Sequence, residues 1–363
     1  MAKANDSSLH IKPGCATPAP RASTSRVSNR ERELSSAAYV EAILRGDRSV
    51  LARAITLVES SRATDRRIAD EVLDRCLPAS GNSIRVGVTG IPGAGKSSLI
   101  EALGKHVILE RGEKVAILAI DPSSQLSGGS ILGDKTRMSF LASSDMAFIR
   151  PSPSRGAHGG VAQHTRDAIL LCEAAGYRNI LVETVGVGQS EAAVGRMVDV
   201  LLLVTLAGAG DELQGIKRGL MEITDIVVVN KTDGDNIRSA EKACTEAASA
   251  LHLLAASSSG WLPRAMCCSA HTGRGVADLW SYILDHDAVT KANGWFERTR
   301  REQARCSMHD SIELGLLQMF RSNPTVQKRL SELEERVVAG NMTTSCAVGE
   351  LLALFASERG TPG

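Results

Sequence analysis

The octapeptide Gly90-Ile-Pro-Gly-Ala-Gly-Lys-Ser97 constrains this chain more than any other segment. It follows a Val-rich run at 84–89 and precedes an amphipathic stretch at 97–110, so it reads as a strand, a glycine turn and a helix start. At such a junction the loop N–H groups and the positive helix end converge on one point, which suits phosphate. Gly93 and Gly95 let the backbone approach the ligand, and Gly90, Ala94 and Ser98 complete the phosphate-contacting run. Lys96 is placed to reach β- and γ-phosphates, and the Ser97 hydroxyl to ligate Mg²⁺.

A loop of this kind belongs at the carboxyl edge of a parallel sheet, and the surrounding sequence agrees. Aliphatic runs at 84–89, 114–120, 179–183, 199–206, 225–230 and 264–269 alternate with helical stretches at 97–110, 161–175, 237–255 and 276–286. Continuous apolar strands are expected where helices cover both faces of the sheet. The predicted fold class is therefore α/β: a doubly wound, mostly parallel sheet around a phosphate loop, with helical N- and C-terminal extensions. Four zones follow, namely a disordered leader at 1–33, a helical extension at 34–82, a nucleotide-binding domain at 83–289, and C-terminal helices at 290–363 that are candidates for dimerisation. In the last zone Ile312, Leu316, Leu317 and Phe320 form one apolar stripe, and spacing alone does not decide whether it packs inward or against another subunit.

Composition closes off other classes. Forty-two basic against 41 acidic residues give a net charge of +1, which argues against nucleic acid as a partner. The longest apolar run, 200–209, is half the roughly 20 residues a membrane-spanning helix needs, so no membrane role is expected. Aromatics make up 3%, which leaves an aliphatic core. The eight cysteines include no Cys-x-x-Cys pair and read as free thiols in a reducing compartment. A cytoplasmic location follows, with the mitochondrial matrix as the alternative if the Arg- and Ser-containing leader is a presequence.

The remaining chemistry lies at strand ends. Asn230-Lys-Thr-Asp233 looks like the guanine-recognition motif of G proteins. The Asp233 carboxylate can accept from guanine N1–H and N2–H₂, a donor pair that adenine lacks; Asn230 can support the loop and the base's acceptor edge, and the Lys231 stem can cover the ring. Ser269-Ala270, ending the next strand, fits a backbone contact to guanine O6. Glu183-Thr-Val-Gly186 resembles the Asp-x-x-Gly switch of GTPases with Glu in place of Asp. There Glu183 would orient a metal-bound or attacking water, and the Gly186 N–H would meet the γ-phosphate. Asp121 is placed for the outer sphere of the metal, and Asp134 lies in a glycine-rich loop that would serve as a first switch.

Taken in order, Gly90–Ser98, Asp121-Pro-Ser-Ser, Gly128–Met138, Pro151–Gly156, Glu183–Glu191, Ala209–Gly219 and Asn230–Asp233 resemble the MeaB/ArgK family of the SIMIBI class of GTPases over roughly residues 35–300. The resemblance implies a homodimeric GTP hydrolase that gates adenosylcobalamin loading and protection of methylmalonyl-CoA mutase or a related B12-dependent acyl-CoA mutase. It also implies that Lys96, Asp134 and Glu183 act in hydrolysis, that Ser97, Asp121, Asp134 and Glu183 surround Mg²⁺, and that Lys217 lies in a third switch facing the partner. His158 departs from the pattern, standing where an apolar residue is expected. Two rivals share the phosphate loop: a kinase of an amino-acid (lysine/arginine/ornithine) transport system, and a metallochaperone GTPase. The second is weakened by the lack of a His-rich run or Cys-x-x-Cys.

Overall fold

The computed structural model describes residues 34–60, 62–121, 138–153, 158–184, 190–208, 218–253 and 259–357. Three helices come first: α1 (Ser36–Leu44), α2 (Arg48–Val58) and α3 (Ala63–Cys76). Ser35 and Asp47 start the first two by accepting from backbone N–H groups of the opening turns, which satisfies donors that the helix itself cannot. Val40, Ile43, Leu51, Ile55, Val58 and Val72 are buried positions of this layer.

Seven strands follow in one parallel sheet: β1 (Ile84–Gly90), β2 (Val115–Asp121), β3 (Ala147–Pro153), β4 (Asn179–Thr184), β5 (Val200–Leu206), β6 (Ile226–Asn230) and β7 (Arg264–Cys267). Their order is β3-β2-β4-β1-β5-β6-β7. Every residue of β4 and β6 is buried, and all of β5 up to Thr205, as a sheet covered on both faces requires. The covering helices are α4 (Lys96–Arg111), α5 (Ser139–Ser143), α6 (His158–Ala174), α7 (Ser190–Gly195), α8 (Arg218–Glu222), α9 (Ile237–His252) and α10 (Val276–Ala292). From β1 the chain runs outward to β2 and β3, returns to fill the β4 position, and then builds β5 to β7 on the other side. This reversal opens a crevice at the carboxyl ends of β1, β4 and β5, the place where doubly wound sheets bind ligands.

Sequence spacing finds six of these strands and misses β3. Its sequence, Ala-Phe-Ile-Arg-Pro-Ser-Pro, carries two prolines that cannot donate to a ladder. The structure puts it at the sheet edge, paired to β2 alone, where proline is tolerated.

The C-terminal helices are α11 (Trp295–Ser322), α12 (Pro324–Val338) and α13 (Thr344–Ser357). The last two build a small core of their own from Val326, Leu333, Ala347 and Leu351, against which Phe320 of α11 packs. By contrast Met308, Ile312, Leu316 and Met319, spaced along one side of α11, are 39–55% exposed. The stripe expected from spacing is thus split: Phe320 turns inward, while Ile312, Leu316 and Leu317 remain at the surface. Residues Ser35–Gly363 form a single compact unit.

The start of α11 is locked beneath the sheet by buried charge. Arg300 donates to both oxygens of Asp199 at 2.6 and 2.7 Å and to the Ser83 carbonyl at 3.0 Å. Glu173 receives Arg85 through two bonds of 2.8 and 2.9 Å, together with Ser83 Oγ and the Gly81 N–H. Burial alone would raise the Glu173 pKa, but these bonds and the Arg85 charge hold it below the ordinary carboxylate value. The cluster's stabilisation is therefore full above the unfolded value of 4.5 and is lost as pH falls through the folded one. Arg300→Ala leaves Asp199 and Glu173 buried with less compensation. A loss near the lower end of about 3–5 kcal/mol is expected, since Arg300 keeps some contact with water. Urea denaturation at neutral pH checks this, and an unchanged midpoint would remove the cluster from the stability of the fold.

Candidate functional site

The turn after β1 is shaped by what cannot fit. Gly90 has φ +143°, and a Cβ there would stand 2.0 Å from the Val204 carbonyl oxygen of β5. Gly95 has φ +85°, and a Cβ there would meet Asn230 Nδ2 at 2.7 Å. Glycine alone therefore allows β1 to keep its pairing with β5 and the loop to approach the end of β6. Between them Gly93 also holds a positive φ, and Ala94 is buried.

Lys96 and Ser97 open α4, so their side chains and the free N–H groups of the first turn face the same crevice. Lys96 is 8% exposed and its Nζ donates to the carbonyls of Gly90 and Ile91 at 3.0 and 3.1 Å. The ammonium is thereby folded over its own loop, at the place where phosphate oxygens would compete for it. Ser97 Oγ donates to Glu183 Oε1 at 2.7 Å. Glu183 stands near the end of β4, opposite Val88 of β1, and is 5% exposed. The phosphate loop and the Glu183 carboxylate are therefore brought together.

Asn230 ties the other half of the site to this loop. Its Nδ2 donates to the Ala94 carbonyl at 2.8 Å, and its Oδ1 accepts from the Ala270 N–H at 3.1 Å. One side chain, 1% exposed, thus braces the ends of β1, β6 and β7. Both of its polar ends are taken up by protein here, and a contact from the Ala270 N–H to guanine O6 would replace its bond to Asn230.

Asp233 and Ser269 meet across the same cleft, Ser269 Oγ donating to Asp233 Oδ2. Ser269 is fully buried and also accepts from the Thr272 N–H at 3.1 Å, so it holds one carboxylate oxygen of Asp233 in a fixed direction. Lys231 is exposed and has φ +56°, alone among the described non-glycine residues in the left-handed region. Such strain persists only where surrounding contacts impose it, and it gathers at functional loops. Here the contacts are Asn236 Nδ2, which donates to the Lys231 carbonyl at 2.8 Å, and Thr232, whose N–H reaches the Cys268 carbonyl at 3.1 Å and whose Oγ1 reaches that of Val229 at 3.0 Å. Sequence reading missed Asn236 because no spacing rule links a polar residue five positions on to a strained carbonyl.

Asp121 is the last residue of β2, so its backbone reaches the crevice edge. Asp134, Gly186 and Lys217 lie outside the described residues, as does the backbone between β4 and α7. Ser98 is in the first turn of α4. No group of three or more His, Cys, Asp or Glu suited to a metal ion occurs among the described residues. No described helix is long and apolar enough to cross a membrane.

Comparison with known proteins matches this architecture. The family described as "Methylmalonyl Co-A mutase-associated GTPase MeaB" matches residues 51–325. The probable GTPase Rv1496 of Mycobacterium tuberculosis is 51% identical over 313 residues, which cover 86% of this chain and 93% of that protein. The mitochondrial methylmalonic aciduria type A homolog of Mus musculus is 41% identical over 344 residues, covering 92% and 82% of the two chains. The crystal structure of an LAO/AO transport system kinase aligns with a TM-score of 0.69 at 36% identity, over 88% of this chain and 97% of that one. With a phosphate loop braced to a guanine-type loop, and relatives of this similarity along most of its length, the chain belongs to the MeaB family of GTPases.

Proposed function

We propose that this GTPase couples its nucleotide state to a B12-dependent acyl-CoA mutase, with methylmalonyl-CoA mutase as the first candidate, and gates adenosylcobalamin loading and protection of that enzyme. The observation that carries the reading is the placement of Glu183 on Ser97, within a site braced through Asn230 to the guanine loop. It is a switch acid set at the nucleotide rather than at a phosphoacceptor. The family description names the mutase, and the name of the mouse relative refers to methylmalonic aciduria.

Phosphoryl transfer to water asks for positioning and charge neutralisation. Lys96 is the cation for the β- and γ-phosphates, and the loop N–H groups cradle them. Glu183 is the acceptor that orients a water, and Asp134 and Gly186 complete the switches. Asp233 selects guanine, with Asn230, Lys231, Ser269 and Ala270 forming the rest of the base site. The Ser97 hydroxyl and the Glu183 carboxylate, 2.7 Å apart, are hard oxygens of the kind that hold Mg²⁺, which is bound through one or two protein oxygens plus substrate phosphates. Asp121 belongs to its outer sphere. When bound, Mg²⁺ supplies neutralisation of phosphate charge. No Gln directly follows Gly186, so slow turnover completed by a partner is the expected behaviour.

The exposed apolar side of α11 supports a homodimer built through the C-terminal helices; two-fold mass in light scattering, reduced by Ile312→Glu with Leu316→Glu, would bear on it. The leading test measures GTP turnover with and without purified methylmalonyl-CoA mutase. Acceleration is expected, and Lys217→Ala is expected to keep its intrinsic rate while losing most of that acceleration. No acceleration by the mutase would overturn the partner assignment. The likeness to the LAO/AO transport system kinase favours a second reading, transfer of phosphate to a transport protein. Radiolabelled γ-phosphate appearing on such a protein rather than in solution would select it.

A further inference from the structure

At the end of β1 remote from Gly90 lies a cavity of about 360 Å³ whose wall includes Arg85, Arg166, Arg196 and Arg300. Three of these have acids in reach: Arg85 meets Glu173, Arg300 meets Asp199, and Arg166 meets Asp310 at 3.2 Å. Arg196, exposed at the rim just after α7, has no acidic partner among the described residues. Two polar atoms of the wall are buried without a hydrogen bond: the donor Arg166 Nε and the acceptor Gln303 Oε1. Gln303 is more than nine-tenths buried, and its Nε2 is held by the Val198 carbonyl at 2.7 Å, so the amide cannot exchange its ends. A buried polar atom left unpaired is costly, and a donor and an acceptor of this kind belong to residues lining one cavity.

A matching ligand needs negatively charged oxygens for Arg196 and Arg166 and an O–H for Gln303. We infer that this cavity is a second anion site of the protein, built for inorganic phosphate. That ion keeps an O–H throughout the neutral range, whereas a phosphomonoester loses its own above a pKa of about 6, and sulfate has none. Inorganic phosphate is also what the GTPase releases, so the site would read the product of its own turnover at a distance from the crevice.

Asp167 adds a signature. It lines the same cavity, and burial pushes its carboxyl up to about 7, opposed by Arg66, reinforced by Asp70 and opposed by Arg166. Arg66 and Asp70 of α3 and Arg166 of its own helix act on it, and the cavity wall adds Arg196 together with Arg85 and Arg300, which are paired to Glu173 and Asp199, while Asp310 sits on Arg166. Below pH 7 the neutral carboxyl does not repel the anion, and above it the carboxylate does. Ionisation of Asp167 therefore weakens phosphate binding as pH rises through 7, against the gain from the ion's own second ionisation in the same range, and comparison with Asp167→Asn isolates it.

The test is calorimetric titration of the full chain with inorganic phosphate, the nucleotide site being filled with Mg²⁺ and a non-hydrolysable GTP analogue. One saturable equivalent is expected, with sulfate and glycerol phosphate weaker at pH 8. Arg196→Ala, at an exposed position, should weaken phosphate about tenfold, the scale of one charge-assisted bond. Gln303→Leu should bring phosphate down to the level of sulfate. Between pH 6 and 8 the wild type should lose about tenfold relative to Asp167→Asn, whose own slope reports the ionisation of phosphate alone. Absence of saturable phosphate binding, sulfate binding as well as phosphate, or indifference to Arg196→Ala would each overturn the site. GTP turnover in the same variants stays independent of the outcome, because none of these residues touches the nucleotide crevice.

Discussion

Lys96→Ala is expected to reduce GTP turnover by at least about 10²–10³-fold, the cost of removing one preorganised donor from a developing charge. The reason is local. Lys96 Nζ already sits within 3.1 Å of two loop carbonyls, so it reaches the phosphates without reorganising the helix that carries it. Alanine removes the charge but leaves the start of α4 intact, since the side chain caps nothing in that helix. Circular dichroism should therefore be unchanged while single-turnover hydrolysis collapses. Turnover within a few-fold of wild type would detach the phosphate loop from the reaction.

Asp233→Asn is expected to convert a guanine site into a xanthine site. The carboxylate accepts two donors from guanine; an amide presents one donor and one acceptor, which suits the 2-oxo group of xanthine. Two mismatched hydrogen bonds cost about 2–6 kcal/mol at 1–3 each, so GDP affinity should fall by between about 30-fold and 10⁴-fold. Xanthosine diphosphate should gain in the same variant. Ser269 sharpens the effect: its hydroxyl is fixed by the Thr272 N–H, so the new side chain cannot rotate freely to restore the old pattern. Competition titrations with the two nucleotides on wild type and variant measure both directions. A native protein that binds ATP as tightly as GTP would remove Asp233 from base recognition.

How far residues alone reveal a site depends on where its restraints come from. The phosphate loop was legible because consecutive residues carry its chemistry, with glycines at 90, 93 and 95 in one turn, although what excludes a Cβ at 90 and 95 lies on β5 and β6. The mainly aliphatic strands were legible for the same reason, each carrying its burial in its own composition. β3 was not, because an edge strand is defined by its neighbour and its prolines argue locally against it. The Arg85, Glu173, Asp199 and Arg300 cluster joins residues up to 215 positions apart, and no motif announces it (300 − 85). The brace through Asn230, which reaches Ala94, is of the same kind. A polar residue's partner on another strand can be read only once register is known.

The placement of β1 has a consequence for synthesis on the ribosome. This strand pairs with β4 and β5, and not with β2, which follows it in the chain. Its ladder partners begin at Asn179, so the phosphate loop is translated long before anything can hold it. The brace from Asn230 arrives later still, with β6, and the lock from Ser269 only after β7. Long-range parallel pairing of this kind is slow and leaves apolar strands waiting. An emerging chain would thus pass through a period of exposure to chaperones with no nucleotide-holding ability, and capture of GTP would mark the moment at which the sheet has closed.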